Sequence, residues 1–307
     1  MRNLLFLFSI LSIVGFSACN KFKTDATTGR EFLLRQAPKT QYFSGTTQFM
    51  GEQGMSFSVF GPYVSLVSGD TLEGELEFWL DEYKNAKQMM YAGLPTTSSN
   101  FVLETGGAFK LSTRVNGELV RPANIGFQVP SASPNSEMSL FGGVINSESM
   151  FDWWQPAPLN TSAFGTTDST LFGGPGYSGM VNPPGFWFID GAMHINCDHF
   201  LGLNLPLTDI SIIASSETQF TPGQLSASLL FQDENVYMNG WWNSQLSGHS
   251  FINIPIGYEV LGLLIGVDSN EELFYGMLNF TVEEDGLYPI EMQPVTEEEL
   301  EDILDGL

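Results

Sequence analysis

From Leu72 to Leu80 the chain alternates, with Leu72, Leu76, Phe78 and Leu80 on one parity and Glu73, Glu75 and Glu77 on the other. Side chains repeat their direction every two residues only in a strand, so this pattern predicts a strand with one buried and one wet face. A second stretch repeats it with the opposite charge. Phe109, Leu111, Thr113 and Val115 alternate with Lys110, Ser112 and Arg114. Asn116-Gly117 follows, a pair that tolerates the positive φ of a two-residue hairpin turn. Lys110 and Arg114 are expected on the same sheet face as the three glutamates. Exposed pairs of this kind contribute about 0–1 kcal/mol each, so they set register more than stability.

The rest of the chain reads the same way. Met55, Phe57 and Val59 alternate with serines up to Gly61-Pro62, which is expected to break the run before Tyr63 to Val67. Ile125 to Val129 reads as the last strand of this unit. Asp81 to Tyr91 has helix-forming residues and an acidic start suited to a helix dipole, and predicts a short helix. Residues 130–184 turn to Ser, Gly, Pro, Thr and Asn and read as loop, too long for an idle connection. Part of it is expected to pack through Met138, Phe141 and Trp153-Trp154. Beyond it, Asp209 to Ala214, Leu225 to Phe231, Phe251 to Ile254, Tyr258 to Val267 and Leu273 to Val282 are strand candidates, the last two forming a hairpin. At the end, Thr296 and Glu299 make a capping box, and Leu300, Ile303, Leu304 and Leu307 a helical stripe. Asp302 and Asp305 oppose the dipole at its C-terminus, so that end is expected to fray. The expected fold class is mostly β. It comprises a sandwich-like domain over 41–135, a loop-rich linker over 136–184, and a second β domain with a C-terminal helix over 185–307.

Charge is unevenly placed. All 11 Lys and Arg lie at or before Arg121, whereas residues 122–307 hold 24 of the 35 carboxylates, so the net charge of −24 belongs to that half. Phosphate backbones require cationic partners, which excludes ordinary nucleic-acid binding there. The same absence removes nucleotide-phosphate clamps and attraction to anionic lipid surfaces.

The first nineteen residues form a three-part leader. Met1-Arg2-Asn3 is weakly basic, Leu4 to Phe16 is uncharged, and Phe16-Ser17-Ala18 brings small residues before Cys19. A membrane span needs about 20 apolar residues, and this run has thirteen. The arrangement resembles a bacterial lipoprotein signal, which implies cleavage after residue 18 and lipid on Cys19, with ordinary cleaved secretion as the alternative. Residues 19–40 then read as anchor and tether, and the expected partner is a lipid bilayer reached through Cys19. The second cysteine, Cys197, has no other thiol to pair with if Cys19 is lipidated.

His194-Ile195-Asn196-Cys197-Asp198-His199 gathers nucleophile and metal-ligand types. On a strand, however, His194, Asn196 and Asp198 share one face, and Cys197 with His199 the other, so His194, Cys197 and His199 do not converge on one ion. A cysteine nucleophile would need His249 or a neighbouring histidine. No metal, cofactor or catalytic residue is assigned, and Cys197 reads as a buried structural thiol. Gly174-Pro175-Gly176-Tyr177-Ser178-Gly179 fits G-x-G-x-x-G, but Pro183-Pro184 prevents the helix that motif needs, so it reads as loop. Asp268 to Glu272 and Asp233-Glu234 are acidic turns that do not match an EF-hand loop. Trp153-Trp154 and Trp241-Trp242 sit beside Asn, Gln and Asp, a composition suited to stacking sugar rings. The alternative is that one ring of each doublet is core and the other covers a loop.

Five segments together resemble a known family. They are Gly93-Leu94-Pro95-Thr96-Thr97-Ser98, Leu103-Glu104-Thr105-Gly106-Gly107, Met138-Ser139-Leu140-Phe141-Gly142-Gly143, Ile195-Asn196-Cys197-Asp198-His199-Phe200 and Ile254-Pro255-Ile256-Gly257. The chain resembles a group of envelope lipoproteins and surface proteins of Bacteroidota-type bacteria over most of residues 43–305. The resemblance implies a β-sandwich followed by a second β domain opened by a G-W-I-N-C-D-like motif, with His194 standing where that group has Trp. It implies no catalytic residues. Asn20-Lys21-Phe22-Lys23 lacks the acidic residues of surface-export signals, which leaves the side of the outer membrane open. The expected function is a non-enzymatic envelope lipoprotein acting in binding, adhesion or assembly. A glycan-binding module using Trp153, Trp154, Trp241 and Trp242 is the alternative, and a secreted hydrolase is the third.

Overall fold

Period-two burial builds two packed pairs of sheets in the computed structural model, which describes residues 22–147, 150–154, 164–167 and 175–307. The leader and Cys19 lie outside the described residues. In the first pair, β1 (Gln41–Ser44), β2 (Gln48–Met50), β3 (Ser56–Ser65), β4 (Thr71–Leu72) and β5 (Leu76–Tyr83) precede a helix over Ala86–Ala92. Next come β6 (Thr97–Ser98), the long β7 (Phe101–Val115) and β8 (Glu118–Pro130). β9 (Ser139–Ile145), β10 (Phe151–Trp154), β11 (Gly165–Thr167), β12 (Gly176–Val181), β13 (Phe188–Ile189) and β14 (Ala192–Phe200) complete it.

One sheet runs β1-β5-β7-β14-β9-β10, the other β2-β3-β8-β12-β11, and all these pairings are antiparallel. They join where β7 turns into β8 at Asn116-Gly117, both at positive φ as the turn signal predicts. Phe78, Leu80, Phe109 and Ile195 of one sheet pack against Phe57, Val59, Phe127 and Val129 of the other.

Two local expectations are corrected, and the shared face of Glu77, Lys110 and Arg114 stands with different partners. Leu72 to Leu80 is two strands, because Gly74 adopts φ 153° against the Asn116 side chain; Leu72 pairs with Tyr63 in β3, and β5 starts at Leu76. Glu77 does lie opposite Arg114, on one face with Lys110, but the ion pair forms between Lys110 and Asp81 at 3.2 Å. Arg114 lies over the Trp79 ring instead, 5.3 Å from its centroid. β3 continues through Gly61-Pro62, with a register shift between Phe60 and Tyr63.

Asp81 and Glu82 belong to β5 rather than to a helix start, and both are buried. Glu82 tolerates this because its carboxylate accepts from the Met55 and Gln53 amides, each at 2.9 Å, and from Gln41 Nε2 at 2.8 Å. The helix begins only at Ala86, where Asn85 Oδ1 accepts from the Gln88 amide at 2.9 Å.

The composition change after residue 130 does not end the first sandwich. β9 and β12 extend its two sheets, and β14, expected to open the second domain, pairs with both β7 and β9. Gly142 and Gly143, read as loop, are close approaches in β9: a Cβ on Gly142 would lie 2.1 Å from the Trp187 ring and one on Gly143 2.6 Å from His194. Gly176–Val181 is likewise strand β12 where loop was expected.

The second pair holds β15 (Leu207–Ser215), β16 (Leu225–Phe231), β17 (Tyr237–Asn239), β18 (Trp241–Asn243) and β19 (Gly248–Pro255). β20 (Glu259–Val267), β21 (Leu273–Thr281), β22 (Leu287–Glu291) and β23 (Gln293–Pro294) follow. Sheet β18-β19-β15-β22 faces sheet β17-β16-β20-β21-β23 across Ile210, Ile212, Leu229, Phe251 and Leu264. Within these two sheets β15 and β22 pair in parallel, and the other neighbouring strands are antiparallel.

Residues from Phe22 onward are docked on this second pair rather than forming a free tether. Leu273 N–H donates to the Phe22 carbonyl at 2.9 Å, and Thr24 N–H to that of Glu271 at 3.0 Å. A helix over Gly29–Arg35, capped by Thr28, buries Phe32 and Leu33. Its single apolar turn was too short to show as a period. The C-terminal helix Glu297–Asp305 has its capping box, with Leu300 and Leu304 fully buried and Leu307 exposed. Lys87 Nζ, 3.1 Å from the Asp305 carbonyl, supplies the cation its C-terminus lacks.

Because Phe32 is buried among Leu33, Leu300 and Leu304, Phe32→Ala should cost about 3–5 kcal/mol, read as a fall in urea midpoint at unchanged m-value. A free tether would leave the midpoint where it is.

Candidate functional site

Adjacent side chains on a strand point to opposite faces, so a Trp-Trp pair cannot offer both rings to one side. Both doublets obey this. Trp153 is fully buried, its Nε1 donating to the Pro95 carbonyl at 2.8 Å, while Trp154 is exposed against Phe186. Trp242 points inward, edge-on to the buried His249 ring at 5.4 Å, while Trp241 faces out with 43% of its surface exposed. Trp153 and Trp242 are therefore packing residues, and the four rings form no common platform. The doublets lie on strands of different sheets.

Trp241 does line a groove of about 480 Å³ on the outer face of sheet β18-β19-β15-β22. The strand registers explain it. Trp241 pairs with Ser250, Ser250 with Ser211, and Ser211 with Leu287, so these four form one row across the sheet. At about 4.8 Å between strands, the row spans about 14 Å. Aromatic and aliphatic groups stand at its ends and two hydroxyls between them. Ser211 Oγ and Ser250 Oγ are 2.9 Å apart, and Asn243 Nδ2 donates to Ser250 Oγ at 3.0 Å.

Two carboxylates stand at one end of the groove. Asp209 occupies the register shift between Thr208 and Ile210, where its Oδ1 accepts from Asn253 N–H at 3.1 Å. Asp285 N–H donates to Thr208 Oγ1 at 2.8 Å, which holds its backbone beside Asp209, and Asp285 lines the same groove. The lining contains no cation, histidine or cysteine.

The His194 to His199 segment lies elsewhere, in β14. Cys197 faces the first core with no exposure, and burial pushes its thiol well above the usual range. His199 Nε2 is 3.3 Å from Glu104, whereas His194 meets the Phe151 ring. Among the described residues no group of three His, Cys, Asp or Glu is arranged to hold a metal. Asn196 and Asp198 do share a face: Thr105 Oγ1 donates to Asn196 Oδ1 at 2.7 Å, and Asn196 Nδ2 to Asp198 Oδ2 at 2.5 Å. Burial raises the Asp198 pKa well above the carboxylate range. In the acidic turn, Asp268 Oδ1 accepts from the Asn270 and Glu272 amides at 2.8 and 2.9 Å and so serves the hairpin.

Sequence reasoning singled out Trp241 but missed Asp209, Ser211, Asn243, Ser250, Asp285 and Leu287. Strand parity alone could have placed Ser211 and Ser250 outward; which strands are neighbours was not legible. No helix among the described residues is long and apolar enough to cross a membrane. No protein-family model, no curated protein and no solved structure matches this chain.

His249 supports the groove from below, and burial lowers its pKa from 6.5 to about 4. The unfolded chain therefore takes up that proton first. Its stabilising contribution is complete above about pH 6.5 and is lost as pH falls towards 4. Between pH 7 and pH 5 the stability difference between wild type and His249→Gln should shift by about 1–2 kcal/mol against the wild type, read from urea midpoints. A constant difference across that range would refute the assignment.

Proposed function

We propose that the chain is a lipid-anchored envelope protein, held through Cys19, that binds its ligand without transforming it. The leader and the family resemblance support the location. The observation that carries the binding role is the Trp241 groove: an exposed aromatic ring, paired hydroxyls, an amide and carboxylates, with no histidine or cysteine in its lining. The strongly shifted histidines and the cysteine are instead buried under packed sheets, out of reach of substrate. A hydrolase built on Cys197 and His199 therefore has no structural support.

One specific feature favours a saccharide as ligand. A single outward indole beside Ser, Asn and Asp offers an apolar face for a sugar ring and hydrogen-bonding groups for its hydroxyls. Adhesion or assembly through this face would use the same groove.

Two measurements test the reading. The intact mass of the protein from expressing cells should show loss of residues 1–18 and gain of lipid, and globomycin should block that processing; an unmodified chain ends the anchoring proposal. On a glycan array Trp241→Ala should lose at least tenfold in affinity, about 1.4 kcal/mol, and Trp154→Ala should lose nothing. Equal loss in both variants would remove the groove from the function.

A further inference from the structure

We propose that the Trp241 groove selects amine-bearing oligosaccharides over neutral and anionic ones. This rests on the saccharide reading above and adds the class of sugar.

The selectivity follows from how the row is flanked. Two residues back along β15 from Ser211 stands Asp209, and two residues back from Leu287, just before the parallel β22, stands Asp285. Both carboxylates are exposed and lie on the same side of the serine row. The Asp285 carboxylate accepts no hydrogen bond from the described residues, and Asp209 spends one oxygen on Asn253 N–H. That leaves acceptor capacity in the same groove as the stacking ring, towards its Leu287 end. A protonated sugar amine supplies the missing donors in a charge-assisted bond, about twice as strong as a neutral one. A uronic acid or sulfated sugar would meet two like charges with no cation to offset them.

The aromatic end adds to the preference. A cation near an indole face gains from the ring quadrupole, and Trp is the strongest of the aromatic partners. The row of about 14 Å fits an oligosaccharide lying across the strands rather than a single ring held end-on. Ser211 and Ser250 then meet hydroxyls in the middle of the chain, with Asn243 on the side away from the carboxylates.

The whole chain carries −24 and attracts any cation weakly, so the test must separate the groove from the general field. At physiological salt the screening length is about 8 Å, which confines the selectivity to nearby charges. Calorimetry on the full mature chain in 0.15 M salt compares chitosan trisaccharide, its N-acetylated counterpart and trigalacturonate. The amine form should bind at least tenfold more tightly than the acetylated form, with trigalacturonate weakest. Asp209→Asn with Asp285→Asn removes two charges and keeps side-chain shape. It should abolish the preference for the amine while leaving the acetylated form bound. Trp241→Ala should weaken both.

Equal affinity for amine and acetylated forms, or a preference that survives the double Asn substitution, overturns the proposal and leaves the saccharide reading standing. If none of the three sugars binds and the glycan array is blank as well, both fall together.

Discussion

Asn235 ties two backbone segments, at Ala86 and at Thr105, to its own. Its Oδ1 accepts from Ala86 N–H at 2.5 Å, its Nδ2 donates to the Thr105 carbonyl at 2.7 Å, and its own carbonyl accepts from Thr105 N–H at 3.0 Å. Two residues on, Tyr237 exchanges bonds with Thr96: Thr96 N–H donates to the Tyr237 carbonyl at 2.7 Å, and Tyr237 N–H to Thr96 Oγ1 at 2.8 Å. These contacts sew the first sandwich to the turn that begins β17 of the second. Their effect reaches the groove because β17 passes through Gly240 directly into β18. At Gly240 the chain leaves one sheet of the second sandwich for the other, and a Cβ there would lie 2.8 Å from both His249 and Phe251. Fixing Tyr237 therefore fixes the parity of the next strand, and with it which of Trp241 and Trp242 faces out.

The same junction accounts for motif residues that look chemical and are structural. Opposite β14, the register of β7 jumps from Ala108 to Thr105, so Gly106 and Gly107 form a bulge, with Gly107 at φ 127° and no room for a Cβ beside Val129. The bulge turns Thr105 towards Asn196, and Thr105 Oγ1 also accepts from Gly107 N–H at 3.0 Å. A buried acid beside an amide and a hydroxyl resembles catalytic equipment in one dimension. In three it is a buried polar network in which Asn196 and Asp198 have no solvent exposure and Asp198 Oδ1 accepts no hydrogen bond from the described residues, and its effect is to fix register between β7 and β14.

What was legible in the sequence was local. The Asn116-Gly117 turn, the β20–β21 hairpin, the β16 alternation and the C-terminal capping box all depend on neighbours a few residues apart, and each stands as read. What failed was pairing at a distance. Gly-rich segments between 136 and 184 carry no period, because glycine contributes no side chain to one. Yet their backbone groups complete the sheets through β14 and β8, and Phe141 and Trp153 pin them to the core. The helix at Gly29–Arg35 was hidden for a related reason: it has only two buried apolar side chains, Phe32 and Leu33, and it is stabilised by the sheet beneath it. For the site, Trp241 was visible as an aromatic among polar neighbours. Its partners come from four strands and a turn, and no local rule brings Ser211, Ser250 and Leu287 into one row.

Charge asymmetry gives the groove its chemical character. The cations all come from the first part of the chain: Lys110 pairs with Asp81 and Arg35 with Asp25 and Glu31, while Lys23 and Lys87 reach across to Glu271 and Asp305. Residues 122–307 contribute no Lys or Arg, and the groove lining holds only carboxylates, amides, hydroxyls and apolar groups. In a buried site that would be costly, and the second sandwich avoids it by keeping Asp209 and Asp285 at the surface. An exposed carboxylate pair without a protein cation is satisfied by water until something better arrives. The ligand that gains most there brings its own positive charge together with a face flat enough for Trp241.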